Sequence, residues 1–306
     1  MMRKVLIFGG SGQDGTILGD LYASESVQVV LVGRNFKWKN FDGIANVKKL
    51  KMDLTETDIN QFLYNEKPDL IIYAAAFHGA AGIVYEQSIH ESYIINVQVP
   101  VEILKYCRSN LHVQFAFFNS SKVFNFERES LISEKSIRSP DCVYSLQKEL
   151  TYKAICYYRK EFGVNVYNFW LFNHESEYRE ASYFIPRVIS ILRSSVKDPS
   201  FKSEINSLNF YCDWGVAKDY MSAIKQILWI SKPDDFILAS GNTMTGRELV
   251  TNLFGHFRLD SQNHIIEREP NELLESSRWR VNTQKFRKFY RGQMKNIGDF
   301  CLEKVT

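Results

Sequence analysis

The chain has 306 residues, 45% of them hydrophobic and 24% charged, with a net charge of +3. This composition excludes a disordered or low-complexity protein and gives no electrostatic reason to bind nucleic acid, despite a local basic excess between residues 36 and 51. Such a length forms one large core, or one large domain with a smaller one attached. The five cysteines are scattered with neither CxxC nor Cys/His spacing, and no apolar run approaches a membrane span. A cytoplasmic protein without disulfides, bound metal or membrane contact is therefore expected.

In chain order, short apolar runs predict strands at Lys4 to Phe8, Val27 to Val32, Val47 to Leu50, Leu70 to Ala75, Phe115 to Phe118 and Val164 to Phe172. Helical spacing of apolar residues falls between them, at Gln13 to Tyr22, Asp58 to Tyr64, Ser92 to Arg108 and Ser145 to Phe162. This alternation predicts an α/β fold with a Rossmann-like, doubly wound parallel sheet over residues 1–173. Beyond Asn173 the pattern is less regular, with helices predicted at Ile185 to Arg193, Gly215 to Ile230 and Gly246 to Phe257. Residues 174–306 are expected to form mainly a smaller C-terminal substrate-binding domain, with some return to the sheet. Open α/β sheets bind ligands at that carboxyl edge.

Gly9, Gly12 and Gly15 follow the first strand in a GxxGxxG spacing that opens a helix. Glycines allow a tight turn and close backbone approach, and free N–H groups at a helix start suit a pyrophosphate. Gly9, Gly12, Gln13, Asp14 and Gly15 are thus candidate cofactor contacts. The second strand ends in Val32-Gly33-Arg34-Asn35, without the acidic residue that would hold the ribose hydroxyls of NAD. Arg34 is placed either to face a 2′-phosphate or simply to cover a strand end, so NADP is expected with NAD possible. Asp53 and Leu54, after the third strand, are placed near the adenine. Ala74 and Ala75, after the fourth, make a small-residue wall, which suits a cofactor or tight strand–helix packing.

Tyr144 and Lys148 form a YxxxK at the start of a helix, one turn apart on a shared face. With Ser120-Ser121 at the end of the fifth strand, this set resembles the Ser/Thr-Tyr-Lys site of short-chain dehydrogenases. That likeness implies a phenolate at Tyr144 taking a hydroxyl proton as hydride leaves the same carbon, with Lys148 lowering the tyrosine pKa and also contacting the cofactor.

Longer stretches narrow the resemblance. Gly12-Gln13-Asp14-Gly15, Leu171-Phe172-Asn173-His174-Glu175-Ser176, Asp213-Trp214-Gly215 with Ala217-Lys218-Asp219-Tyr220, and Asp235-Phe236 with Ala239-Ser240-Gly241 are similar to blocks of the GDP-mannose 4,6-dehydratase branch of the extended short-chain family. By this resemblance Asn173 approaches the sugar-nucleotide diphosphate, Arg187 lies in the substrate lid, and the chain pairs as a homodimer or homotetramer. The resemblance implies internal redox chemistry on a nucleotide-linked hexose: oxidation at C4, loss of water across C5 and C6, and hydride return at C6.

Three positions depart from the family pattern. Where the family carries Thr-Ser-Glu, this chain has Ser120-Ser121-Lys122, so the glutamate that removes the C5 proton is a lysine; Cys212 and Val188 replace basic residues. Lys122 is expected either to take the C5 proton or to hydrogen-bond the sugar or solvent, with Ser121 or a water serving the leaving hydroxyl. As a base it must be neutral, and moving a lysine from about 10.4 to near 7 costs roughly 4 to 5 kcal/mol. A 4-keto reductase or epimerase, which needs no C5 base, is the alternative function. A cofactor-binding scaffold without activity is the third, although it would have no use for Ser120, Tyr144 and Lys148.

Overall fold

The computed structural model describes residues 3–37, 41–78, 88–269 and 278–305. Its strands are β1 (Lys4–Phe8), β2 (Gln28–Gly33), β3 (Val47–Lys51), β4 (Leu70–Tyr73), β5 (Gln114–Ser120), β6 (Leu131–Ile132), β7 (Val166–Leu171), β8 (Asn173–Glu175), β9 (Ser203–Ile205), β10 (Tyr211–Val216), β11 (Asp235–Leu238), β12 (Thr243–Thr245), β13 (Ile265–Glu267) and β14 (Arg280–Val281). The helices are α1 (Gln13–Ala23), α2 (Ile59–Glu66), α3 (Ile89–Tyr93), α4 (Val99–Ser109), α5 (Val143–Phe162), α6 (Phe184–Lys197), α7 (Ala217–Ile230), α8 (Gly246–His256), α9 (Gln284–Arg287) and α10 (Ile297–Val305).

Seven strands form one parallel sheet in the order β11-β7-β5-β4-β1-β2-β3. Most of its inner strands are apolar throughout because helices cover both faces. Val5, Ile7, Val29, Leu31 and Ile72 pack on one side with α1 and α7; Leu6, Phe8, Val30, Val32 and Ile71 pack on the other with α2, α4 and α5. The fold is therefore α/β and Rossmann-like, as the alternation predicts.

Several boundaries differ from expectation for local reasons. The helix predicted from Ser92 to Arg108 starts at Ile89 and passes through a π turn at Ile94–Gln98. Pro100 has no amide to give the carbonyl of Asn96, four residues back. The Thr151 hydroxyl supplies the missing hydrogen bond at 2.7 Å. The helix predicted from Gly215 begins instead at Ala217, because Trp214, Gly215 and Val216 pair with β8.

After Asn173 the chain builds a second core, in which Ile185, Val188 and Leu192 of α6 meet Trp214 of β10 and Leu249, Val250 and Leu253 of α8. It also returns to the first: α7 packs beneath the sheet and β11 adds a seventh strand beside β7. That strand was not among those expected. The ends of β1, β2, β4, β5 and β7 share one carboxyl edge, and the candidate site lies there.

Candidate active site

The glycine turn is built against the alanines at the end of β4. Gly9 has φ +80°, and a Cβ there would sit 2.6 Å from the amide nitrogen of Ala75; one on Gly15 would sit 2.2 Å from the carbonyl oxygen of Gly9. Neither position accepts a side chain. Gly12 differs: it is exposed, caps α1 without a side-chain hydrogen bond, and would bring a Cβ near only the Gly9 carbonyl, at 3.3 Å. The start of α1 thus presents its first amides on an open, Cβ-free surface, which fits a dinucleotide pyrophosphate.

The side chains of Gln13 and Asp14 turn away from that surface and bind β8, some 160 residues on. Gln13 donates to the carbonyl of His174 at 3.1 Å and accepts from the Ser176 hydroxyl at 2.9 Å. Asp14 Oδ1 lies 2.9 Å from His174 Nε2, and Arg179 donates to the His174 carbonyl at 2.9 Å. Burial alone would raise the Asp14 carboxyl, but the charge and hydrogen bond of His174 outweigh it and hold the pKa below its ordinary value. His174 is the mirror case: burial works to lower it, and Asp14 raises it. In Glu175, 3.3 Å from Arg179, burial prevails and the pKa rises.

At the end of β2, Arg34 is exposed and its Nη1 lies 3.3 Å from Glu91 Oε1. Asp53 accepts the amide and hydroxyl of Thr55 at 2.9 and 2.7 Å, bonds that lower its pKa, with the Arg34 charge adding to the effect. Leu54 packs against the sheet core.

At the end of β5 the chain enters a short 3₁₀ turn at Ser121–Val123, capped by Ser120, whose Oγ accepts the amide of Lys122 at 3.2 Å. Ser121 is buried, whereas the Lys122 side chain is exposed. Helix α5 begins nearby with a capping box in which Ser145 Oγ accepts the amide of Cys142 at 3.1 Å. This start brings Tyr144 to the carboxyl edge. One turn on, Lys148 is buried, donates to the carbonyl of Phe118 at 2.8 Å, and lies 5.8 Å from the Tyr144 ring centre. Burial pushes its pKa down to about 7.

Sequence reasoning missed His78, which follows the three alanines after β4. Its ring meets that of Tyr144 edge-on at 6.2 Å, and its nitrogens lie 3.3 and 3.4 Å from the Tyr183 hydroxyl. Its place beyond a strand's carboxyl end was the available signal. Asn173 is exposed at the start of β8, and Arg187 on α6 donates to the carbonyl of Glu204 at 2.5 Å. The structure thus gathers Tyr144, Lys148 and the end of β5, and joins Gln13 and Asp14 to β8, while exposed Arg187 reaches the backbone of β9. Among the described residues there is no group of three His, Cys, Asp or Glu side chains able to hold a metal, and no helix long and apolar enough to cross a membrane.

A sheet wound in this order, with a glycine turn after β1, defines the Rossmann-like class of α/β proteins. Solved structures share the fold. The dTDP-glucose 4,6-dehydratase of Bacillus anthracis, in complex with NAD, superposes with a TM-score of 0.81 at 17% identity, over 99% of this chain and 95% of its own. The UDP-N-acetylglucosamine 4-epimerase of Methanobrevibacter ruminantium also reaches 0.81, at 16% identity, over 99% and 97%. Curated relatives include the GDP-mannose 4,6-dehydratase of Yersinia enterocolitica, 27% identical over 81% of this chain and 70% of the relative. The GDP-mannose 4,6 dehydratase of Cricetulus griseus is 28% identical over 83% and 72%. The family model described as GDP-mannose 4,6 dehydratase matches residues 6–299, and the chain belongs to that family. It is accordingly an enzyme of the NAD(P)-dependent nucleotide-sugar dehydratase class, with epimerases among its structural neighbours.

Proposed function

We propose that the protein is a nucleotide-sugar 4,6-dehydratase that uses bound NADP, with NAD as the lesser alternative, to oxidise C4 of a nucleotide-linked hexose and expel water from C5 and C6. The observation that carries this reading is Tyr144 one helical turn from buried Lys148 at the end of β5, in a chain of this family. In this reading Gly9, Gly12 and Gly15 shape the pyrophosphate cradle, Gln13 and Asp14 brace it, and Ala74 and Ala75 leave room beside it. Asp53 and Leu54 flank the adenine. Residues 1–173 serve the cofactor and the Ser/Tyr/Lys set, and residues 174–306 mainly the substrate through Asn173 and Arg187.

A nicotinamide held beside the glycine turn and Lys148 would supply the hydride chemistry, acceptance from C4 and return at C6. Tyr144 takes the C4 hydroxyl proton, Lys148 steadies the phenolate and holds the cofactor, and Ser120 orients the C4 oxygen. Ser121 and Lys122 face the C5–C6 end of the sugar. The test is product analysis: GDP-mannose with a trace of NADP should give a GDP-linked 4-keto-6-deoxyhexose, one water lighter, with no net change in NADP. A specific observation favours a second reading, a 4-keto reductase or epimerase: Lys122 stands where the family has a glutamate, and neither of those reactions needs a C5 base. Stoichiometric NADPH consumption, or a product of unchanged mass inverted at C4, would establish it. Tight cofactor binding without turnover would leave the scaffold.

Cofactor choice rests on Arg34. Its ion pair with Glu91 is exposed on both sides, so releasing it costs at most about 1 kcal/mol. Arg34→Ala should weaken NADP by about 1 to 3 kcal/mol, the loss of a charge-assisted hydrogen bond, and leave NAD nearly unchanged in calorimetric titration. Equal affinity of the unaltered protein for both cofactors contradicts this assignment. Leu146, Leu150 and Tyr157 expose apolar side chains along one face of α5. A second copy covering that face would make a dimer or a pair of dimers, which sedimentation equilibrium reads directly.

A further inference from the structure

Elimination of water needs a group that accepts the C5 proton and another that protonates the departing C6 hydroxyl. The 3₁₀ turn after β5 offers Ser121 and the exposed lysine Lys122, and a lysine ammonium carries donor protons and no acceptor. From the geometry around Tyr144 we infer that His78 is the catalytic base that takes the C5 proton and that Lys122 is the acid. This inference rests on the dehydratase reading.

The placement argues for it in three ways. His78 touches Tyr144 edge-on at 6.2 Å between ring centres, and C5 is the immediate neighbour of the carbon that Tyr144 serves. The Tyr183 hydroxyl, within 3.4 Å of both ring nitrogens, and the Tyr183 ring, edge-on at 6.2 Å, fix the imidazole from the other side. His78 is also an exposed residue, so a substrate can reach it. Among the described residues, charged groups that act on it are Arg179 from the segment after β8, Lys148 from α5 and Lys122 from the 3₁₀ turn. Desolvation against its neighbours and these three positive charges outweigh a backbone hydrogen bond and hold the His78 pKa below 6.5. At neutral pH the ring is therefore unprotonated and able to accept a proton.

In the step so assigned, the C5–H bond breaks and its proton passes to a ring nitrogen of His78. The electron pair forms the C5–C6 double bond, and the C6 hydroxyl leaves as water with a proton from the Lys122 ammonium. When hydride is delivered to C6, His78 returns its proton to C5. Lys122 regains, through solvent, the proton that Tyr144 took from the C4 hydroxyl. Each group ends as it began, and the sugar has lost one water.

The experiment bypasses the first hydride transfer. The full chain is incubated in deuterated buffer with GDP-linked 4-keto-6-deoxymannose, and exchange at C5 is followed by proton NMR. The unaltered protein should exchange C5, His78→Asn should slow the exchange by about 10²-fold or more, and Lys122→Met should leave it within a few-fold. The His78→Asn protein should still form reduced cofactor from GDP-mannose, seen by its absorbance, which shows that fold and first oxidation survive. In the unaltered protein the exchange rate should rise with pH to a plateau, with a midpoint below 6.5, because only the neutral ring is the base. Unimpaired exchange in His78→Asn overturns the His78 assignment and leaves the dehydratase standing. No exchange in the unaltered protein, together with no dehydration of GDP-, dTDP-, UDP- or CDP-linked hexoses, overturns the dehydratase reading itself.

Discussion

Replacing Tyr144 with phenylalanine is expected to lower turnover by about 10²- to 10⁴-fold, the usual weight of a positioned acid–base group, while leaving the fold intact. The substitution deletes one oxygen. The half-buried ring keeps its edge-on contact with His78 at 6.2 Å and its place 5.8 Å from the Lys148 ammonium. Lys148 itself remains anchored to the carbonyl of Phe118 at 2.8 Å. The melting temperature and cofactor affinity should therefore stay close to those of the unaltered protein, and only the rate of hydride transfer, followed by stopped-flow absorbance, should collapse. A phenylalanine variant retaining more than about a tenth of the rate would remove Tyr144 from the mechanism.

The second large effect concerns stability. Asp14 and His174 form an ion pair whose side chains are only 18% and 10% exposed. It ties the first turn of α1 to β8, which also carries Asn173. His174→Ala leaves the Asp14 carboxylate in a site that no longer compensates its lost hydration, and breaking such a pair costs about 3 to 5 kcal/mol. The melting temperature should fall by several degrees. Asp14→Asn in the same background should recover part of the loss, because it removes the stranded charge, and a double-mutant cycle would report the coupling.

The sign of the pH dependence follows from the two shifts. The depressed Asp14 pKa contributes stability that is present at neutral pH and lost as pH falls through the folded value. The raised His174 pKa contributes stability that is full below 6.5 and lost as pH rises through its folded value. The pair is thus strongest in the window between. Denaturant melts of His174→Ala showing no loss, or a loss that does not shrink as pH is taken below or above that window, would reduce the pair to a surface contact.

Much of the fold was legible locally. A run such as Lys4 to Phe8, apolar on both faces, has one stable place, the inside of a sheet covered by helices, and the turn at Gly9 cannot form with a side chain 2.6 Å from the Ala75 nitrogen. The YxxxK spacing likewise sets Tyr144 and Lys148 on one helix face wherever the helix lies. Family membership was legible for the same reason, since blocks such as residues 171–176 are contiguous in the chain.

Position along the chain does not reveal what meets across it. The four-residue strand β11 became the seventh strand only because β7 had an open edge at which Asp235 to Leu238 could pair. The π turn before α4 follows from a proline together with a threonine hydroxyl 55 residues away. The Asp14 side chain meets His174 because the packing of β8 brings an imidazole within 2.9 Å, and a buried charge is stable only with such a partner. His78 gains its setting from Tyr144 and Tyr183, which are distant in sequence and adjacent in space. The sequence by itself determined the sheet, the glycine turn, the helix carrying Tyr144 and Lys148, and the family, because each rests on neighbouring residues. Tertiary structure decided which side chains share desolvation and charge, because those depend on elements brought together only when the core closes.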